Sequence, residues 1–137
     1  MFEQCLYFNA TSLARKLERE WAQAFKAFDL TPSQAFLLRV VLEKQTALQR
    51  ELASEMNISR STATRTLDQL EKLGYVERRE SENDGRETII APTSKAQSIW
   101  EAINEASGAV TKRMKCTLGD DFFKNVVANV KAASETI

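Results

Sequence analysis

The sequence predicts a mainly α fold with a small β-hairpin wing, a helix-turn-helix lobe carried between long flanking helices. Three observations lead there. Only four Gly and two Pro occur in 137 residues, so breakers are scarce, long helices are favoured and a sandwich of many short strands is disfavoured. Apolar residues recur at three- and four-residue steps along most of the chain. Two short β-type runs flank an Asp84-Gly85 turn signal, and they lie in one place only. The length suggests one domain, able to bury about two-thirds of its unfolded surface.

From Leu6 to Phe28, Ala10, Leu13, Leu17, Trp21, Phe25 and Phe28 trace one face of a long amphipathic helix. Thr31-Pro32-Ser33-Gln34 is a helix start: Thr31 caps, Pro32 suits the first helical position, and Gln34 reaches back to close a capping box. That helix runs to about Lys44. Thr46-Ala47-Leu48-Gln49 repeats the start signal, with Leu48, Leu52, Ala53 and Met56 on the helix that follows. Asn57 tolerates left-handed geometry and stops it. Ser59 caps the next helix, whose inward face is Ala63, Leu67, Leu70 and Leu73, and Gly74 ends it. Two short helices joined by a tight turn make a helix-turn-helix.

Tyr75 to Arg79 and Glu87 to Ala91 read as the two strands, with Val76 and Ile89 or Ile90 facing the helices. Thr93 caps a long helix bearing Ala96, Ile99, Trp100, Ile103, Ala106 and Val110. Gly119 precedes a last one with Phe122, Phe123, Val126, Val127 and Val130. The chain thus divides into an N-terminal helix (1–29), a central lobe (30–92) and C-terminal helices (93–137). The flanking stripes, with Phe8, Trp21, Phe122 and Phe123, carry more apolar surface than one small lobe covers. Burial between two chains is the simplest sink, which predicts a homodimer through both flanking regions.

Composition narrows the chemistry. Histidine is absent, which removes His-based acid–base catalysis, His-paired nucleophiles and His metal ligation. Only Cys5 and Cys116 supply thiols and no CxxC pair exists, so no metal site or disulfide framework is expected. With no glycine-rich phosphate loop or clustered carboxylates either, the sequence predicts no enzyme and no cofactor. No run of about 18 apolar residues appears, and Glu3 and Gln4 stand where a signal peptide is basic. A soluble cytoplasmic protein with no membrane partner is expected.

The segment Ser59–Lys72 carries the strongest functional signal. Its apolar stripe leaves Arg60, Ser61, Thr64, Arg65, Asp68, Gln69 and Lys72 on the opposite side. Hydroxyls near a helix N-terminus, with an Arg one turn on, suit phosphate contact and base-edge readout in a major groove. Arg86 lies at the hairpin tip, with Arg78 and Arg79 on the incoming strand, and an exposed hairpin arginine suits a narrow minor groove. Net charge is zero, and residues 60–86 balance six basic side chains against six acidic ones. Only spatial separation of the two signs makes a positive surface there.

The run from Glu51 to Thr93 resembles the DNA-binding lobe of MarR-family transcription regulators. It carries the TRxLDxLxxxGxVER pattern at Thr64–Arg78 and the DxR wing signature at Asp84–Arg86. The LTPSQ start at Leu30–Gln34 and the long flanking helices extend the resemblance over nearly the whole chain. It implies a winged-helix homodimer that binds double-stranded DNA at a pseudo-palindromic operator, as a repressor under small-molecule control. It implies bases contacted by Ser61, Thr64 and Arg65, with Arg60, Thr62 and Gln69 on the same DNA face. Arg86 would enter the minor groove and Asp84 would hold that arginine. Two departures stand out: Gln69 where many members carry a basic residue, and Pro92 in place of the apolar residue closing the second wing strand, where it would bend the hairpin exit.

The family's small phenolic or aromatic ligands bind near the junction of the first helix and the lobe. The resemblance therefore makes Trp21, Phe25, Phe28 and Phe36 a candidate effector pocket, although core packing explains an aromatic stripe equally well. Some members sense peroxide through a cysteine near the start of the first helix, which makes Cys5 a candidate redox residue. Ungapped alignment through Leu30-Thr31-Pro32 puts Tyr7 at that position instead. The alternatives to a ligand-controlled repressor are a peroxide-responsive regulator acting through Cys5 and a winged-helix module that binds protein rather than DNA.

Overall fold

A computed structural model describes residues 1–81 and 87–137. Helix α1 spans Leu6–Phe25 and is shorter than the apolar series suggests, because Lys26–Phe28 forms a single 3-10 turn. Asp29 then takes φ 56°, and the Leu30 N–H reaches back to the Phe25 carbonyl. Phe28 still packs against the core, so the apolar spacing carries across the turn.

Helix α2, Pro32–Lys44, starts on the expected capping box: the Gln34 N–H donates to Thr31 Oγ1 at 3.2 Å and the Thr31 N–H to Gln34 Oε1 at 3.0 Å. The expected start at Thr46 does not form. Ala47–Leu48 is instead a short strand, β1, and helix α3 covers only Gln49–Glu55. Ala47 is buried and pairs with Ile90, which draws the segment into a ladder and moves the helix cap two residues on, from Thr46 to Leu48. Glu51 Oε1 accepts from the Leu48 N–H at 3.0 Å and satisfies one of the free donors there.

Asn57, at φ 54°, turns the chain into α4, Arg60–Lys72, and Gly74 at φ 82° closes it. Strands β2 (Val76–Glu80) and β3 (Thr88–Pro92) begin and end one residue later than the sequence suggests. The sheet has three antiparallel strands in the order β1-β3-β2, one more than the hairpin expected. Pro92 is the last ladder residue, opposite Val76, at a strand end where a missing N–H is tolerated. Of the two isoleucines, Ile90 is the fully buried one. The Asp84-Gly85 turn signal falls outside the described residues.

Helix α5, Ser94–Leu118, starts on Thr93, whose side chain accepts from the Ala96 N–H, and α6 spans Asp120–Thr136 beyond Gly119. The core is continuous from Phe25 through Leu37, Leu38, Val41 and Leu42 of α2 to Leu67 and Leu70 of α4, Ile90 of β3 and Ile103 of α5. Helix α6 has no buried residue. Leu6, Tyr7, Phe8 and Leu13 of α1 and Phe122, Val127 and Val130 of α6 are exposed. A groove of about 810 Å³ runs between Leu13 and Leu17 on one side and Val126, Val127 and Val130 on the other. No helix among the described residues is long and apolar enough to cross a membrane.

Candidate nucleic-acid interface

The helix-turn-helix is fixed from within. The Ile58 N–H donates to the Ala53 carbonyl at 3.0 Å, and Ser59 Oγ accepts from the Thr62 N–H at 3.1 Å. The cap uses two of the predicted DNA-facing hydroxyls: Ser59 and Thr62 hydroxyls bond at 2.9 Å, and Ser61 lies 3.1 Å from Ser59 Oγ. Thr62 is half-buried, whereas Ser61 is exposed. Thr64 Oγ1 donates to the Arg60 carbonyl at 2.9 Å and accepts from Gln49 Nε2 at 2.7 Å, so it ties α4 to α3. Gln69 Oε1 accepts from Gln34 Nε2 at 3.0 Å and couples α4 to the start of α2. Arg60 and Arg65 are exposed, and neither side chain has a partner among the described residues. Asp84 and Arg86 lie outside the described residues.

Arg78 separates the charges. From β2 its Nη1 reaches Asp68 Oδ1 at 2.5 Å and Glu71 Oε1 at 3.5 Å, while Nη2 donates to the Thr64 carbonyl at 3.2 Å. An arginine placed by sequence beside the wing's basic cluster therefore serves as a clasp on α4. It neutralises the two acids of that helix and leaves Arg60 and Arg65 as its uncompensated charges toward the N-terminal end. Arg79 is exposed and lies 3.7 Å from Glu77. On the other side, Arg50 Nε of α3 meets Glu87 Oε1 at 3.0 Å across a cavity of about 370 Å³ lined by α3, α4 and the base of the wing. Sequence reasoning missed Gln49, Arg50 and Glu87. They lie 15 to 37 positions from their partners, beyond any local periodicity.

Trp21, Phe25 and Phe36 meet where α1, α2 and α5 join. Phe25 is fully buried and meets Phe36 edge to face, with centroids 5.9 Å apart. Phe36 is 37% exposed and lies under the Arg39 guanidinium at 5.0 Å. Ser107, buried on α5, accepts from Trp21 Nε1 at 3.1 Å and from Arg39 Nη1 at 3.0 Å, and Arg39 Nε donates to Asn104 Oδ1 at 2.7 Å. Burial lowers the Arg39 pKa from its ordinary value, and only neutral groups hydrogen-bond it among the described residues. Phe28 is half-buried, and its carbonyl accepts from the Tyr75 hydroxyl at 3.2 Å. Cys5, just before α1, and Cys116, near the end of α5, are both exposed.

A helix-turn-helix, an exposed basic helix face and a sheet ending in a hairpin together define a winged-helix DNA-binding protein. Residues 28–87 match the model of the MarR family. The chain belongs to that family of DNA-binding transcription regulators, which are not enzymes. It is similar to the uncharacterized HTH-type transcriptional regulator YwoH of Bacillus subtilis strain 168, with 33% identity over 91 residues. That match spans 66% of this chain and 66% of the relative. In fold it is similar to the transcriptional repressor CouR bound to a 23-mer DNA duplex, with TM-score 0.89, 20% identity and coverage of 97% of this chain and 94% of the other. The overoxidized AbfR bound to DNA superposes with TM-score 0.77 at 26% identity, over 96% of this chain and 90% of that one.

Proposed function

We propose that the chain is a cytoplasmic homodimeric repressor that occupies a pseudo-palindromic operator, with residues 30–92 as the DNA lobe and 1–29 and 93–137 as dimerisation helices. Each α4 lies in a major groove, with Ser61 and Arg65 toward bases and Arg60 toward phosphate. Arg86 enters the neighbouring minor groove, held by Asp84. The observation that carries this reading is the sorting of charge on α4. Arg78 takes up Asp68 and Glu71, while Arg60 and Arg65 are exposed and unpaired among the described residues. CouR and AbfR, both seen with DNA, lend the mode of binding.

Dimerisation is supported by the unburied α6 and the exposed apolar face it shares with α1, since monomers rarely expose such continuous patches. A small aromatic ligand at the α1–α2–α5 junction is supported by Phe36, half open above Phe25, and by the Arg39 cation beside Trp21. Binding there would shift the balance between lobe separations that fit the operator and those that do not. Titrating the protein into a genomic fragment at several salt concentrations tests the reading. Salt-dependent binding that Arg65→Ala weakens is expected, and salt-independent or absent binding contradicts it.

A further inference from the structure

The Arg50–Glu87 pair lines the cavity between α3, α4 and the base of the wing. A helix in a major groove and a wing in the adjacent minor groove straddle the sugar–phosphate strand that divides the two grooves. The cavity of about 370 Å³ lies between those two elements, with Arg50, Arg60, Thr64 and Thr88 on its walls. Only Nε of Arg50 is engaged, by Glu87 Oε1 at 3.0 Å, so both Nη groups keep their donors among the described residues. The Arg50 side chain is 61% exposed, and Glu87 is 32% exposed. Both ends of the pair are anchored. The Glu87 carbonyl accepts from the Ser81 N–H at 3.0 Å at the base of the wing, and α3 follows directly on β1, which pairs with β3.

We infer that Arg50 forks a phosphate of the strand running between α4 and the wing, and that Glu87 is the positioning residue that aims it. A guanidinium held through Nε presents its two Nη groups as a planar pair, the geometry that matches two phosphate oxygens. Free rotation of an arginine side chain would otherwise oppose the contact. Glu87 removes that cost before DNA arrives. The inference rests on the DNA-binding reading and adds to it one phosphate contact and the residue that sets it.

The test uses the full chain and a fluorescein-labelled duplex selected by the parent protein from a random pool, with affinity measured over a salt series. Each phosphate contact contributes about 0.9 to the slope of log K against log salt. Arg50→Ala is expected to weaken binding about 3- to 10-fold and to flatten the slope by about one. Glu87→Ala, which leaves Arg50 in place but unaimed, is expected to do nearly the same. The double variant should be no worse than Arg50→Ala, and Glu87→Gln, whose amide oxygen still accepts from Nε, should restore the parent slope. Unchanged or tighter binding by Glu87→Ala would overturn the positioning role. An unchanged slope in Arg50→Ala, beside a salt-dependent parent, would overturn the phosphate contact alone. A parent that binds no duplex would overturn the DNA reading with it.

Discussion

Arg65 and Arg78 are thirteen positions apart and do opposite work. Arg65 is exposed on α4 and has no partner among the described residues, so Arg65→Ala should cost about 1–3 kcal/mol in operator binding and relax sequence preference. Competition with single-base operator variants measures both effects, and unchanged discrimination would move the reading face elsewhere. Arg78 is four-fifths buried against α4 and holds two carboxylates and a carbonyl. Arg78→Ala should lower stability by about 1–2 kcal/mol, since charged hydrogen bonds count for more than exposed ion pairs but two of its partners are half open to water. It should also weaken DNA binding, because Asp68 and Glu71 then face the phosphates uncompensated. A variant with parental melting temperature and parental affinity would show the clasp to be idle. Cys5 is exposed, but ungapped alignment through Leu30-Thr31-Pro32 puts Tyr7 rather than Cys5 at the family's sensing position. Equal DNA binding by the parent and Cys5→Ser in peroxide is the expected result, and loss in the parent alone would make the chain a redox regulator.

At the scale of elements, turns decide where helices stop. Gly74 holds φ 82° between α4 and β2, and an added Cβ would meet nothing nearer than Lys95 Cδ at 3.7 Å. Space is therefore no obstacle, and the cost of Gly74→Ala is conformational, about 1–2 kcal/mol. Thermal or urea unfolding reads it, and a neutral or stabilising substitution would contradict the account. The caps at Thr31, Ser59 and Thr93, and the stops at Asn57 and Gly74, were legible because each rests on one residue's hydrogen-bonding or φ preference within four positions of its partner. Strand β1 was not legible. Two residues have no period, and Thr46-Ala47-Leu48-Gln49 imitates a helix start, while Ile90, far along the chain, makes Ala47 a strand. The same distance hid part of the interface. The polar face of α4 could be listed from spacing alone, but Thr64 bonded to Gln49, Gln69 bonded to Gln34 and Asp68 taken by Arg78 depend on partners that only the fold brings near.

For the whole molecule, two surfaces are left over by the single chain: the basic face of α4 and the apolar face of α1 and α6. A dimer joined through the second fixes the spacing of two copies of the first, which turns a short helix into a reader of paired half-sites. Charge sorting rather than net charge makes this workable, since a chain of zero formal charge carries Arg60 and Arg65, unpaired among the described residues, on the face where DNA would lie. The most direct measurement is sedimentation of the chain with a selected duplex, combined with footprinting of the same complex. The account predicts two chains per duplex and two protected half-sites about 10 bp apart, centre to centre, around a pseudo-dyad. One chain per duplex protecting a single half-site, or a chain that stays monomeric at micromolar concentration, would contradict it.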